Sequence, residues 1–155
     1  MTENITVQVQ YETEQIGRLF EVYADLLAHS KQETPNLVEI AALASVLHSF
    51  YNGLENIFLV IAKGLDGAAP TGSGWHRDLL ARMAQATPKR SPVISPETGE
   101  ALTGYMLFRH FYRHSYSFFL EWTKMRDLVT ALEDVWKQTR QEFLAFLESL
   151  GPKEA

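Results

Sequence analysis

Apolar residues in this chain recur three and four positions apart through every long segment, and nowhere do they alternate with a period of two. Helices bury such a pattern on one face; strands cannot. The chain is therefore expected to be all-α. Ile5–His29 reads as a first helix, with Ile16, Leu19, Phe20, Tyr23, Leu26 and Leu27 at helical spacing. Ser30–Thr34 is a short connection, and Pro35 suits the first turn of a second helix running to Lys63, with Gly64 as its C-cap. Asp66–Gly74 is a glycine-rich loop without the Lys-Ser/Thr ending of a phosphate-binding P-loop. Trp75–Gln85 forms a short helix, and Thr87–Ser95, with its two prolines, a connection. Pro96 begins a fourth helix and Lys124–Leu150 is a last one. A single rod from Pro96 to Leu150 measures roughly 80 Å at 1.5 Å per residue, too long for a domain of this size, so a break is expected between Tyr116 and Thr123. The resulting fold is an antiparallel four-helix bundle with one additional short helix, residues 1–155 making a single domain.

Composition removes several function classes. Without cysteine there is no disulfide framework, no thiolate metal site and no Cys nucleophile. Met1-Thr2-Glu3-Asn4 lacks the basic-then-apolar run of a secretion signal. The most apolar segment, Ile40–Leu65, is interrupted by His48, Asn52, Glu55 and Asn56, which makes it a poor membrane span. A cytoplasmic protein with no membrane partner is expected. The net charge of −5 argues against a general nucleic-acid coat, yet it is unevenly spread. Six Lys/Arg and three acids lie between Trp75 and His114, eight Lys/Arg and sixteen acids elsewhere. That suits a local anion site better than a surface-wide one.

The basic segment culminates in Arg109-His110-Phe111-Tyr112-Arg113-His114-Ser115-Tyr116. On a helical wheel Tyr116, Arg109, Arg113, Ser117, His110 and His114 share an arc about 160° wide. Leu107, Phe118, Phe111, Trp122, Phe108, Phe119, Tyr112 and Tyr105 fill most of the other side, which is expected to be buried. Arg109 offers a forked, permanent cation matched to phosphate oxygens. His114 exchanges a proton near neutral pH. Together they suffice to cut RNA without metal: one group moves a proton while the cation stabilises charge on phosphorus, and the substrate's 2′-OH is the nucleophile. Five residues apart, the two stand about 140° apart on a helix, so either the helix distorts or a second subunit completes the pocket. Three plainer readings compete. The face could be solvated or paired with acids; His110 and His114 at i and i+4 could form a weak metal pair; Tyr116 could be a surface phenol. On the second helix Ser45, His48, Asn52, Glu55, Asn56 and Lys63 share a polar strip, either a solvent face or a second wall opposite the basic arc.

Arg109, four residues, His114, one residue, Tyr116 also resembles the Arg-x4-His-x-Tyr motif of the HepT toxins of the HEPN superfamily, and His110 fits that superfamily's preference for a polar residue after the arginine. Tyr51-Asn52-Gly53-Leu54-Glu55-Asn56-Ile57 and Trp75-His76-Arg77-Asp78-Leu79-Leu80 look like a HepT-like branch of the group, so the resemblance extends from the second helix to about Trp122. It implies a helical-bundle homodimer with Arg109 and His114 catalytic in an interface cleft, and His110 and Arg113 supporting RNA phosphate. It implies a metal-independent endoribonuclease toxin that needs no cofactor. Its antitoxin would be an MntA-like nucleotidyltransferase, able to transfer AMP to Tyr116, which would put phosphate beside Arg109 and Arg113. Asn52 and Glu55 would support the cleft as its second wall. The alternative, also found in the superfamily, is a non-catalytic binding module that presents substrate to a nucleotidyltransferase.

Overall fold

The computed structural model describes residues 2–151, and its regular structure among them is helical. The first expected helix is two, α1 (Thr2–Val22) and α2 (Ala24–Ser30), because Tyr23 leaves helical geometry at φ −105°, ψ 20°. The next helix, α3 (Leu37–Leu65), starts later and ends later than the sequence suggested. Asn36, not Pro35, sets its start: the Asn36 side chain accepts from the Glu39 amide at 2.8 Å, and the Glu39 carboxylate accepts from the Asn36 amide at 2.9 Å. This reciprocal capping satisfies two otherwise orphaned donors. Gly64 is not a C-cap but an interior residue, and Asp66 caps the helix. Two short-range demands explain the interior glycines. An added Cβ at Gly64 would lie 2.6 Å from the Ile5 side chain, and one at Gly53 would lie 2.8 Å from Ile16. Ile5 and Ile16 are as far apart in α1 as Gly64 and Gly53 are in α3, so the two helices run antiparallel in close contact.

After the loop come α4 (Trp75–Met83), α5 (Pro96–Arg113), a 3-10 turn at Ser117–Phe119, and α6 (Trp122–Leu150). Four helices are long and α2 and α4 are short, as a bundle with small additions requires. α3 is the centre: it touches α1, α2, α4, α5 and α6. By length and composition α3 could cross a membrane. In the bundle most of its apolar residues from Ile40 onward pack into the core, with Leu37 and Val38 exposed at its start, and Phe50 is the hub. The Phe50 ring meets Phe20 of α1, Tyr105 of α5 and Trp136 of α6 at centroid distances of 6.0, 5.3 and 6.1 Å. Such edge-on aromatic contacts add to the area each ring removes from water.

The site-bearing helix α5 is fixed at its start. Pro96 occupies its first turn, and the Ser95 side chain accepts from the Thr98 amide at 3.1 Å. Glu142 of α6 then accepts from the Ser95 amide at 2.7 Å, from Thr98 Oγ1 at 2.8 Å and from Gln138 at 2.8 Å. Burial alone would raise the Glu142 carboxyl, but these hydrogen bonds outweigh it and hold the group below its ordinary range. A depressed carboxyl stabilises the fold above its unfolded-state pKa and loses that contribution as pH falls through the folded value. Glu142→Ala is therefore expected to cost about 1.5–3 kcal/mol at pH 7. The deficit should shrink as pH is lowered toward 3, which thermal melts across pH will read; a deficit independent of pH would show that the charge is not what matters.

Candidate functional site

α5 ends at Arg113, three residues short of the break expected from the sequence. His114 caps it at φ −116°, ψ 15°, and Tyr116 is already extended at φ −81°, ψ 152°. The eight-residue stretch therefore does not lie on one wheel. The helix ends between Arg109 and His114, so the 140° separation expected on a continuous helix does not apply to the pair. The Arg113 guanidinium, in the last turn, offsets the negative end of the α5 dipole. The loop Gly72–Gly74 and the first turn of α4 form the facing wall. Between the walls lies a cleft of about 710 Å³, lined on one side by Arg109, His110, Arg113 and His114 and on the other by Trp75, His76 and Arg77. The sequence-derived pair Arg109 and His114 thus opens onto one cavity.

Asn52 and Glu55 of α3 lie behind Arg109 and do not themselves line the cleft. Asn52 Oδ1 accepts from Arg109 Nη2 at 3.1 Å, and Glu55 Oε1 lies 3.7 Å from Arg109 Nη1. The Glu55 side chain is only 5% exposed and that of Arg109 12%. Of the polar strip read on this helix, His48, Asn52 and Glu55 turn toward α5, whereas Asn56 and Lys63 are exposed. His48 packs on the Tyr112 ring at 5.1 Å, and its imidazole is pushed below its ordinary value, first by burial and then by Arg109 and Arg113. Burial likewise raises the Tyr51 phenol, and Glu55 adds to that. Among the described residues, three buried side-chain polar atoms have no protein partner: His48 Nδ1, Tyr51 Oη and Arg109 Nε. All three sit on the α3–α5 seam.

Several expectations change. The surplus of positive charge near the stretch is smaller than the sequence count, because cations in it find carboxylates from outside: Arg109 with Glu55, and Arg90 with Asp66 at 2.8 Å. The aromatic side of the wheel is not uniformly buried. Leu107, Phe111, Phe118 and Phe119 are exposed, because α5 stops before it can carry the last two inward. Tyr116 leaves the basic arc and joins them: its ring stacks on Phe118 at 5.3 Å and is 70% exposed. His110 and His114 do stand together, with ring centroids 4.8 Å apart. Among the described residues no third His, Asp or Glu groups with them as a metal-ligand set.

One cleft residue escaped sequence reasoning. His76 Nδ1 lies 2.6 Å from Glu55 Oε2, so a single carboxylate holds both His76 and Arg109. No spacing rule links position 76 to position 55; the stretch Trp75–Leu80 entered the sequence reading only through the family resemblance, with no role given to His76.

Comparison with curated proteins and with solved structures gave no match. The family model described as HepT-like protein matches residues 42–150, from within α3 to the end of α6. That span contains both walls of the cleft and every side chain that braces them, and on this match the chain belongs to the HepT-like family of the HEPN superfamily.

Proposed function

We propose that this chain is an endoribonuclease and the toxin half of a toxin–antitoxin pair, acting in the cytoplasm. The observation that carries the proposal is that Arg109 and His114, five residues apart and diametrically awkward on a helix, line one cleft because α5 ends between them. In this reading RNA phosphate sits between the α4 and α5 walls, held by Arg113 and the outer edge of Arg109. His114 moves a proton at the 2′ or 5′ oxygen, and His110 supports it. The substrate's own 2′-OH attacks phosphorus, so no protein nucleophile and no metal is required, and DNA is resistant. The exposed Leu107, Phe111 and Phe119 border the same end of α5 as the cleft. A second copy covering them would form the homodimer and exclude water from the site.

The purified chain is expected to cut RNA in the presence of EDTA and to leave 2′,3′-cyclic phosphate ends. RNA left intact under all conditions would overturn the proposal. A nucleotidyltransferase of the MntA type is the proposed antitoxin, and Tyr116, with its exposed phenol, the group it modifies. Co-expression with such an enzyme is expected to add the mass of AMP to the Tyr116 peptide and to relieve growth arrest; an unmodified peptide with arrest relieved would leave only sequestration. One observation favours the alternative, a non-catalytic module that presents substrate to a nucleotidyltransferase: Arg109 is already engaged by Asn52 and Glu55. Expression of the chain alone separates the two, since only the nuclease arrests growth.

A further inference from the structure

Cutting RNA through its 2′-OH moves two protons in opposite senses. One leaves O2′ as the O2′–P bond forms; another reaches O5′ as the P–O5′ bond breaks. The attacking and leaving oxygens lie on opposite sides of phosphorus. His110 and His114 are ring neighbours on one wall, so both approach a bound phosphate from the same side. The other wall holds His76, from a different helix, and its placement is not that of a solvated residue. Glu55, buried and acceptor-only when ionised, receives the Nδ1–H at 2.6 Å. Trp75 stacks on the imidazole at 3.7 Å. Those contacts fix the ring and its tautomer, which leaves Nε2 for the cleft. The His76 side chain is one-third exposed there.

We infer that His76 is the second proton-transfer group of the cleavage reaction, acting across the scissile phosphate from His114, and that Glu55 positions both His76 and Arg109. The inference rests on the nuclease reading above. One neutral imidazole accepts the O2′ proton, the other, protonated, donates to O5′. The products are a 2′,3′-cyclic phosphate and a 5′-hydroxyl, and the two imidazoles end with their protonation states exchanged, to be reset through water. Glu55 touches no substrate atom; it is a positioning residue.

The test compares His76→Asn, His114→Ala and the unaltered chain. Asparagine keeps an N–H toward Glu55, so the carboxylate stays satisfied and the fold is retained; equal thermal midpoints check this. On RNA, His76→Asn is expected to lose roughly 10²–10⁴-fold in rate. The second substrate is a set of nucleoside 3′-(4-nitrophenyl phosphates) carrying all four bases, whose leaving group departs without a proton. The variant lacking the acid recovers on it and the variant lacking the base does not, so the two histidine variants are expected to respond oppositely. His76→Asn cutting RNA at the unaltered rate overturns the inference and leaves the nuclease reading intact. Equal losses on both substrates for both variants also overturn it, because His76 would then serve only binding or structure. An unaltered chain that cuts no RNA takes down the nuclease reading, and this inference with it.

Discussion

His114→Ala is expected to lower RNA cleavage by roughly 10²–10⁴-fold and to shift the thermal midpoint by no more than about 2 °C. Arg109→Ala is expected to lose both activity and stability. The difference lies in what each side chain touches. His114 is exposed at the end of α5, and among the described residues no carboxylate lies within ion-pair distance of it. Among the described residues its one ring neighbour is His110. Arg109 is mostly buried, and without it the nearly inaccessible Glu55 keeps, among the described residues, His76 as its one ion-pair partner. Removing one member of a fully buried pair costs about 3–5 kcal/mol. With the 3.7 Å separation and His76 remaining, about 2–3 kcal/mol is the expected loss, or roughly 4–12 °C in midpoint for a chain of this size. Adding Glu55→Gln to Arg109→Ala removes the stranded charge and should recover stability, while cleavage stays lost. That double variant separates the two roles of one arginine. A His114→Ala protein that melts early, or that still cuts RNA at the unaltered rate, would reverse the assignment.

The same contrast explains which parts of the molecule were legible before the coordinates. Helical identity came through from the three-and-four spacing, because side-chain periodicity is a local property of the chain. The pair Arg109 and His114 was legible as a motif. Asn52 and Glu55 were legible as one polar strip on an otherwise apolar helix, since a strip of that kind on the central helix must face something polar. Boundaries were not. The start of α3 was set by the Asn36 side chain, which caps the helix one residue after the proline expected in its first turn, and the end of α5 by residues whose wheel positions argued equally for continuing. That three-residue shortening decided more than any other detail. It freed His114 from the wheel and left Phe118, Phe119 and Tyr116 in solvent. His76 was illegible because its meaning depends on a contact between residues 21 apart on separate helices, and pattern within one element does not carry such contacts.

Asp66→Ala is expected to destabilise the chain more than any single change at the cleft. Asp66 caps α3 and meets Arg90 with both oxygens, at 2.8 Å to Nε and 2.9 Å to Nη2. The Arg90 side chain is fully buried and spends its other donors on the carbonyls of Gln85, Ser91 and Arg82, at 2.8, 3.1 and 3.3 Å. Those carbonyls neutralise no charge. Alanine at 66 therefore strands a buried guanidinium, at about 3–5 kcal/mol, and should lower the midpoint by roughly 10 °C. Asp66→Asn, which keeps an acceptor but not the charge, is expected to lose less. Replacing both partners, as Asp66→Ala with Arg90→Met, should recover part of the deficit, because an apolar side chain tolerates the buried site that a lone cation does not. The clamp also bears on the cleft. It ties the loop before α4 to the segment after it, and Arg82 within α4 adds a bond to the Ala68 carbonyl at 2.8 Å. The Val93 and Ile94 amides then close on the Met83 carbonyl at the helix end. With Arg90 stranded, α4 should open locally before the long helices do. Hydrogen exchange in Asp66→Ala is expected to speed up at the amides of Leu79–Met83, Val93 and Ile94 while those of Leu54–Ile61 stay protected. Uniform acceleration across both groups would mean that the clamp holds the whole bundle and not the α4 wall of the cleft.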